Sequence, residues 1–506
     1  MRESIARVIR NGEPCGIADV PLASISELRD YVIRQVSAGA RIAALFGQPS
    51  TDKGVRLYAV LAQGDSGILS ASSADVSASY PSLTPDCPQA HWFEREIAEQ
   101  WAVRPEGHPW LKPIRFHKPY REGNSPFAPQ TEMLPGVTNY FRVEGEEVHE
   151  VAVGPVHAGV IEPGHFRFQC HGEHVFNLEI ELGYQHRGVE RAVMDGPTTR
   201  TIHYMETLAG DTTVGHATAY CQAMEALCGI EVPARAQALR GIGLELERLA
   251  NHTGDLGALA GDVGFLPTMS FCGRLRGDFL NMTALLCGSR FGRGLVRPGG
   301  ALFDMDDARS GELLSRLEAA RKDVTTAVNL LWETNSVLAR FEETGTVSKD
   351  TAVALGLVGV AARACGLERD ARYEFPSGIY RVAQIPVSTW HSGDVFARAF
   401  VRWLEIQRAI DFVRIQVESL PAGPTIASGD RPARPNAFVV TLVEGWRGEI
   451  AHVGATDERG AILWYKVVDP SFHNWAGLAM ALRNQEISDF PLCNKSFNLS
   501  YCGHDL

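Results

Sequence analysis

Four histidines lie close together in the sequence and are the first residues that could do chemistry. They are His157, His165, His171 and His174, which fall within eighteen residues. The last two are the first and last residues of the short sequence HGEH. Imidazole is a common metal ligand and titrates near neutral pH, so this spacing could indicate a metal site. Hydrogen-bonded or solvent-facing histidines are the alternative, and the spacing alone leaves both open.

The ten cysteines argue against a sulfur-rich metal centre. They lie at positions 15, 87, 170, 221, 228, 272, 287, 365, 493 and 502, and no two of them form a CxxC pair. Zinc, iron–sulfur and nickel–iron sites usually take two thiolates from one tight turn. The pattern therefore predicts free, buried thiols that behave as small apolar residues.

Charged residues recur at helical spacing in a later stretch of the chain, at Arg240, Glu245, Glu247, Arg248 and His252. Charges three and four residues apart on a helix usually give internal support or contact a subunit, so no chemistry is assigned to them. The chain has no GxGxxG in a strand–turn–helix setting, no GxxxxGK[ST] and no GxSxG. No nucleotide site or nucleophile elbow is predicted.

Composition describes a globular chain of two or three domains. The chain has 506 residues, of which 45% are apolar and 21% charged, with a net charge of −12 that argues against nucleic-acid binding. It has no apolar run long enough to span a membrane. The start, MRESIARVIRNGEPCG, does not resemble a secretory signal, so the protein is expected to stay in the reducing compartment where it is made.

Local patterns predict an α+β fold in three parts. Residues 1–120 hold the strands RIAALFGQP and VRLYAVLAQGD and the helices ISELRDYVIRQVSAG and HWFEREIAEQW. Residues 121–150, rich in Pro, Gly and acidic residues, are expected to form an extended connector. Residues 151–506 begin with short antiparallel strands, at 151–181, followed by a mainly helical stretch to about residue 420.

The helical stretch is predicted to contain ARAQALRGIGLELERLANHTGDLGAL as one helix and GELLSRLEAARKDVTTAVNLLWETNSVLARFEE as a single long helix in a bundle. The final segment, NAFVVTLVEGWRGEIAHVGATDERGAILWYKVVD, is predicted to form a meander of strands with a turn at DERG.

Two regions of the chain resemble one protein family. In the first part, WFEREIAEQWAVRPEGHPWLKPIRF is similar to the signature of the C-type hydrophilic subunit of respiratory complex I. That match includes Gly107, His108, Pro109 and Leu111. Four later stretches resemble the large subunit of group 4 [NiFe] hydrogenases and the D-type subunit of complex I: VGPVHAGVIEPGHFRF (153–168), LEIELGYQHRGVE (178–190), HATAYCQAMEAL (216–227) and EGWRGE (444–449).

The resemblance implies a fused C–D architecture like that of formate-hydrogenlyase-type large subunits. A C-type α+β domain (1–120) would precede a mainly helical D-type domain (151–506) with small antiparallel sheets. In the hydrogenases the stretch equivalent to METLAGDTTVGHATAYCQAMEAL (205–227) holds a metal with a pattern like RICGICPVAHSLAY. Anchored on His216, the two cysteines of that pattern fall on Ala209 and Thr212.

The second cysteine pair of the family is missing as well. Its pattern resembles DPCYSCTDR, whereas this chain ends in NLSYCGHDL, so the cysteines fall on Ser500 and Gly503 with Cys502 between them. Nickel and iron need soft thiolate ligands, which alanine, glycine, serine and threonine do not supply. The chain is therefore predicted to bind no metal and to lack hydrogenase activity.

In complex I, the resemblance further implies, the former metal cavity is a quinone pocket. Its headgroup contacts are a histidine of the GPxH region and a tyrosine near the first cysteine position. His157 and His165 are available for the first role. The tyrosine position maps to Gly210, and Asp211 beside it is a candidate substitute. The predicted pocket is small, polar and lined by Gly210, Asp211, Thr212, Thr213, Ser500 and Cys502.

Glu190 matches the glutamate of the hydrogenase RGxE motif, which passes protons near the metal. A partly buried carboxylate has a raised proton affinity, which suits a relay. The alternative is an ion pair with Arg187 or Arg191 at the start of a helix. His186 and His216 are expected to be structural.

Arg447 lies in EGWRGE, where the family has EAPRGE and the arginine points at the cavity. Its planar guanidinium could hold an anionic or carbonyl group. The alternative is an internal salt bridge with Glu444 or Glu449. The change to Trp446 is expected to narrow the cavity.

The resemblance implies a metal-free, hydrogenase-like subunit of a membrane-bound, complex-I-like redox assembly on the cytoplasmic face of the membrane. An iron–sulfur small subunit and membrane-embedded subunits would be its partners, and a quinone or another small acceptor its substrate. Proton handling and acceptor contact are assigned to Glu190, Asp211, Arg447 and His157, and cavity lining to His165, Thr212 and Ser500. The alternatives are a non-catalytic scaffold subunit and a genuine [NiFe] hydrogenase.

Overall fold

The computed structural model describes residues 5–50, 54–121, 126–127, 139–158, 161–429 and 431–506. Much of the predicted connector 121–150 therefore lies outside the described residues. Within the described ranges, helices and several small sheets share the chain, which confirms the α+β fold. The boundaries of the three predicted parts stay a prediction.

The N-terminal part contains a five-stranded mixed sheet, a separate pair of strands, one strand that joins a later sheet, and two helices. Its strands are β1 (Arg7–Ile9), β2 (Cys15–Gly16), β3 (Leu22–Ala23), β4 (Arg41–Pro49), β5 (Val55–Gln63), β6 (Ile68–Val76), β7 (Ser79–Pro81) and β8 (Arg104–Glu106). Its helices are α1 (Ile25–Ser37) and α2 (His91–Trp101). In the five-stranded sheet the order β1-β6-β5-β4 is antiparallel, and β3 runs parallel beside β6. Strands β7 and β8 form the separate pair, and β2 joins the later sheet.

The predicted helices and strands of this part are confirmed, and their ends have local causes. The Ser24 hydroxyl accepts a hydrogen bond from the Glu27 backbone N–H at 3.3 Å, which caps α1. Leu28 and Val32, one turn apart, are the buried residues of that helix. Strands β4 and β5 are buried along most of their length, because both are covered by neighbouring elements.

Three antiparallel strands follow, as predicted for 151–181. They are β9 (Val148–Val153), β10 (His165–His171) and β11 (His174–Glu181), in the order β11-β10-β9. The HGEH sequence is the tight turn between β10 and β11, where His171 and His174 are register partners.

The helical stretch contains eleven of the described helices and one short hairpin. The helices are α3 (Val189–Ala192), α4 (Thr201–Met205), α5 (Thr213–Cys228), α6 (Ala234–Asp262), α7 (Leu266–Cys287), α8 (Asp307–Trp332), α9 (Asn335–Phe341), α10 (Lys349–Leu355), α11 (Gly359–Arg363), α12 (Ala371–Glu374) and α13 (Val395–Glu418). The hairpin strands are β12 (Val296–Arg297) and β13 (Gly300–Ala301). Helix α6 packs between α7 and α13 and is buried along most of its length.

The prediction of a single long helix from Gly311 onward is wrong. The chain leaves the helix after Trp332 and starts α9 at Asn335. Thr334 is extended there, and its hydroxyl donates to the Leu330 carbonyl at 2.6 Å. The break lets Val337 and Phe341 turn into the core, and this burial outweighs the helical propensity of the sequence.

The C-terminal segment forms the predicted meander and returns to the N-terminal sheet. Its elements are β14 (Ala437–Glu444), β15 (Glu449–Thr456), β16 (Ile462–Val468), α14 (Pro470–Ala481), α15 (Phe490–Phe497) and α16 (Tyr501–Asp505). The sheet order is β16-β15-β14-β2, so β2 from the N-terminus completes it. Phe46, Tyr58, Phe438 and Trp464 join the two sheets with ring centroids 5.1–6.4 Å apart.

Across the described ranges, no helix has both the length and the apolar character needed to cross a bilayer.

Candidate functional site

Asp211 and Arg447 form a two-pronged ion pair. Asp211 lies in the loop between α4 and α5, and Arg447 lies in the turn between β14 and β15. Arg447 Nη1 lies 2.6 Å from Asp211 Oδ1, and Nη2 lies 2.7 Å from Oδ2. A bidentate guanidinium–carboxylate pair fixes both partners in one plane, so the α4–α5 loop and the hairpin turn are held together.

Trp446 and Asn251 fix the backbone of the same loop. The Trp446 indole N–H and the Asn251 side-chain amide each donate to the Asp211 carbonyl at 3.0 Å. The Arg447 guanidinium stacks on the Trp446 ring, 3.9 Å from its centroid. The tryptophan at this position is therefore both an anchor for the loop and a platform for the arginine.

Asp211 and Arg447 each stabilise the charged form of the other. Burial alone would raise the pKa of Asp211, but the charge and hydrogen bonds of Arg447 outweigh it and hold that pKa below its usual value. Burial opposes ionisation of Arg447 too, and Asp211 raises its pKa above the usual value. The Asp211 side chain is 34% exposed, so an ionised carboxylate remains reachable at this point.

The C-terminal residues close the other side of the site. Arg447 Nε donates to the Asn498 carbonyl at 2.5 Å. Two residues on, the Ser500 hydroxyl accepts from the Gly503 backbone N–H at 2.9 Å and caps α16. Cys502 Sγ lies 3.4 Å from the Ser500 hydroxyl oxygen. Arg447 therefore bridges the two segments on which the four family cysteines would fall.

The residues at those four positions do not fit a nickel–iron cluster. The Thr212 hydroxyl is already hydrogen-bonded, to Asp211 Oδ1 at 3.1 Å and to Arg447 Nη1 at 3.2 Å. A Cβ atom on Gly503 would lie 2.7–2.9 Å from the Asp469 carboxyl group. Throughout the ranges described, no group of three or more His, Cys, Asp or Glu could hold a metal ion. None of the four positions offers a thiolate, and a side chain at Gly503 would meet Asp469.

Glu247 is a titratable residue of this region that sequence reasoning left without a role. It lies on α6, and its carboxylate oxygens accept from the backbone N–H groups of Val214 and Gly215 at 2.7 and 3.2 Å. Burial is the main cause that raises its pKa, to about 8, and the nearby Asp211 charge adds to it. Its position one turn before Asn251, which binds the same loop, is the signal that could have found it.

Glu190 lies in a different cluster from Asp211. Its carboxylate accepts from Lys466 Nζ and from the Val467 backbone N–H, each at 2.9 Å. Lys466 also binds Glu96 at 2.7 Å. The alternative, an ion pair with Arg187 or Arg191, is therefore wrong in its partners, because β16 brings a lysine from 276 positions away in the numbering. The relay role of Glu190 stays a prediction.

The alternative partners predicted for Arg447 are wrong as well. Glu444 pairs with Arg363 at 2.7 Å, and Glu449 pairs with Arg41. Glu444 and Glu449 are register partners at the ends of β14 and β15, whereas Arg447 lies in the connecting turn and pairs with Asp211.

The histidines of the first cluster have separate surroundings. His157 Nε2 hydrogen-bonds the Gly164 carbonyl at 3.0 Å, and Gly164 packs on the Tyr501 ring of α16. His165 is buried beside the Tyr140 ring, burial lowers its pKa, and its Nε2 has no hydrogen-bond partner within the described ranges. His171 pairs with Glu147 at the surface. The hydrogen-bonded or solvent-facing alternative therefore holds for His157 and His171.

His216 belongs to a fully buried chain of polar groups beside the site. Its Nε2 lies 2.9 Å from Asp469, and its Nδ1 lies 3.2 Å from His452 Nε2. The Tyr465 hydroxyl lies 2.9 Å from His452 Nδ1. One set of tautomers, with Tyr465 donating to His452, His452 to His216 and His216 to Asp469, satisfies every member. His216 thus has the structural surroundings expected of it.

Comparison with known proteins places these features in a family. Residues 45–133 match the family model of the respiratory-chain NADH dehydrogenase 30 Kd subunit, and residues 262–437 match that of the 49 Kd subunit. Formate hydrogenlyase subunit 5 of Escherichia coli (strain K12) is 30% identical over 83% of this chain and 76% of its own length.

Two further relatives extend the comparison. Hydrogenase-4 component G of the same organism is 29% identical over 84% of this chain and 75% of its own length. The C/D subunit of NADH-quinone oxidoreductase from Bdellovibrio bacteriovorus is 28% identical over 66% of this chain and 62% of its own length. The 30 Kd match precedes the 49 Kd match, which is the order expected of a fused C–D-type chain.

Proposed function

Because this chain belongs to the family of formate-hydrogenlyase-type large subunits and fused C–D-type subunits of complex I, we propose that it is a metal-free large subunit of a membrane-associated redox complex. In this proposal it receives electrons from an iron–sulfur small subunit and passes them to a quinone or another small acceptor. It would lie on the cytoplasmic face of the membrane, held there by membrane-embedded partners.

The single observation that carries the proposal is the Asp211–Arg447 pair. It joins the loop that carries Thr212 to Asn498, two residues before Ser500, through both hydrogen-bonding edges of the guanidinium. Thiolates hold soft metals, whereas a paired carboxylate and guanidinium recognise polar organic groups. The replacement favours an oxygen-bearing acceptor over a metal cluster.

Reduction of a quinone to a hydroquinone consumes two electrons and two protons. In our proposal the partner cluster supplies the electrons. Asp211, ionised and partly exposed, accepts a hydrogen bond from the reduced acceptor and keeps Arg447 in place. Glu247, whose pKa burial raises to about 8, would release one proton toward the loop and, once reprotonated, the second.

The remaining predicted residues surround this pair in the proposal. Thr212 and Ser500 present hydroxyl groups on the two segments that Arg447 bridges. His157, which contacts Gly164 beside α16, and His165, with its unpaired ring nitrogen, would line the opposite wall. Glu190 would transfer protons at a greater distance from the acceptor, through the cluster that it forms with Lys466.

Acceptor reduction by the purified complex tests the proposal. Arg447→Lys keeps the positive charge and removes the planar fork, so we expect weaker acceptor binding, seen as a raised KM. Arg459→Lys, at a turn where the side chain is 78% exposed, is the matched control and should leave the kinetics unchanged. Unchanged kinetics in both Arg447→Lys and Asp211→Asn would contradict a catalytic role and favour the scaffold alternative.

A further inference from the structure

A large buried charge cluster lies behind the hairpin turn that presents Arg447. Its guanidinium groups are those of Arg248, Arg363 and Arg372, and its carboxylates are those of Glu245, Asp370, Glu405 and Glu444. All seven side chains are at most 3% exposed. His252, which binds Glu405 at 2.8 Å, is neutral because burial lowers its pKa to about 4.

The cluster has one carboxylate more than it has guanidinium groups. An uncompensated buried charge costs several kcal/mol, so one carboxylate is expected to hold a proton. Within 4.0 Å, Glu245 and Asp370 each contact two guanidinium groups and Glu405 contacts three. Glu444 contacts one, Arg363, and it is the carboxylate whose pKa burial raises, to about 7.

Glu444 is also among the residues that line a small cavity. The cavity has a volume of about 30 Å³, which is enough for a water molecule, and Thr218, Arg372, Tyr380 and Glu444 are among its lining residues. Thr218 is 2% exposed, and its hydroxyl has no hydrogen-bond partner within the described ranges. A buried polar atom of this kind usually binds an ordered water.

A surface cleft lies directly outside this cavity. The cleft has a volume of about 460 Å³ and shares Gln222, Gln237, Arg240, Ser377 and Gly378 with the inner cavity. Gly378 has no side chain and the other shared residues are polar. Hydrogen-bonding groups, rather than apolar side chains, therefore separate the cavity from solvent. Gln222 Nε2 donates to the Ser377 hydroxyl at 3.1 Å across it.

We propose that Glu444 is a proton-exchange site, which takes its proton from solvent through the cleft and a water molecule bound by Thr218 in the inner cavity. A proton passes from this water to a Glu444 oxygen, and the water is reprotonated from the cleft. The protonated carboxyl then donates its O–H to the water, because its other neighbours, the Arg363 guanidinium and the Ala371 backbone N–H, are donors.

The groups around Glu444 define its response to pH. The groups that act on it from α6, α11 and the start of α12 are Arg248, Arg363, Asp370 and Arg372. Glu449 is its register partner on β15, Arg41 acts on it from β4, and Arg240 lines the same cavity. Arg248 also donates to the Glu444 and Gly445 carbonyls at 2.9 and 3.0 Å, at the base of the turn that carries Arg447. The use of this proton in acceptor reduction rests on the proposed function, whereas the exchange itself does not.

Infrared spectroscopy of the purified protein without donor or acceptor tests the exchange. In a Glu247→Gln background, which removes the buried carboxyl whose pKa is raised to about 8, we expect a protonated-carboxyl stretch that titrates near pH 7 and is lost when Glu444→Gln is added. Thr218→Ile replaces the hydroxyl with an ethyl group that fills the cavity, and should slow deuteration of this carboxyl by at least about tenfold.

Thr441→Val is the matched control for the cavity variant. Thr441 is fully buried on β14 and its hydroxyl donates to Ala219 instead of the cavity. The proposal is overturned if Glu444→Gln keeps the titrating band, or if Thr218→Ile and Thr441→Val exchange at the same rate. Should Glu444→Gln not fold, the comparison of Thr218→Ile with Thr441→Val decides alone. Because the sample is at rest, failure of the proposed redox function would leave this result unchanged.

Discussion

Removal of the Arg447 guanidinium should destabilise the fold through the charge that it leaves behind. Arg447→Met keeps the length of the side chain, but it removes two bonds to Asp211 and one each to Thr212 and Asn498. Breaking a fully buried ion pair costs about 3–5 kcal/mol. The Asp211 side chain is 34% exposed, so water compensates part of this cost, and we expect a loss of about 2–3 kcal/mol.

The double-mutant cycle isolates the pair from its surroundings. Asp211→Asn should cost about 1–2 kcal/mol, because Arg447 stays buried with the Asn498 carbonyl as an acceptor. With both residues changed, the losses should fall short of additivity by about 1 kcal/mol or more. Urea unfolding followed by circular dichroism at neutral pH measures all three variants.

An exposed ion pair provides the control cycle. Glu312 and Arg316 lie one turn apart on α8, with side chains 47% and 45% exposed. Their coupling should be at most about 0.5 kcal/mol. If the Asp211–Arg447 coupling is no larger than this control value, the ion pair does not hold the two segments together and the reasoning about the site is refuted.

Three further outcomes are expected. Gly503→Cys should lower the free energy of unfolding by about 1–3 kcal/mol because its Cβ meets Asp469; an unchanged urea midpoint would contradict this. The folded protein holds a proton on Glu247 up to about pH 8 that the unfolded chain releases near its ordinary pKa of about 4.3. Stability should therefore fall as pH rises through that window, and Glu247→Gln should flatten the fall in thermal melts at successive pH values. Glu190→Gln should cost about 1–2 kcal/mol in urea because Lys466 loses one of two carboxylate partners; equal stability would contradict that role.

Elements governed by local pattern were predictable from the sequence. Apolar residues at helical spacing predicted α1, in which Leu28 and Val32 are buried, and turn residues delimited the three C-terminal strands. The failure at Thr334 shows the limit of such patterns. The sequence from Gly311 has helical periodicity beyond Trp332, and only the position of the core decides that the chain must turn there.

The partners of the candidate site residues were not predictable in the same way. Arg447 has acidic neighbours in the sequence, yet it binds Asp211, 236 positions away. Glu190 has arginines on both sides and binds Lys466 instead. Local sequence suggests nearby charges as partners, whereas the fold chooses among all charges that the sheets and helices bring together. The family resemblance was the more informative guide, since the two cysteine-equivalent segments do meet at Arg447.

The nickel and iron content of the protein, purified with the subunits that co-purify, tests the central claim most directly. The account predicts nickel far below one atom per chain, with all iron assigned to partner clusters. Nickel near one atom per chain would contradict it, because the residues at the four cysteine-equivalent positions would then have to hold a cluster for which they offer no thiolate.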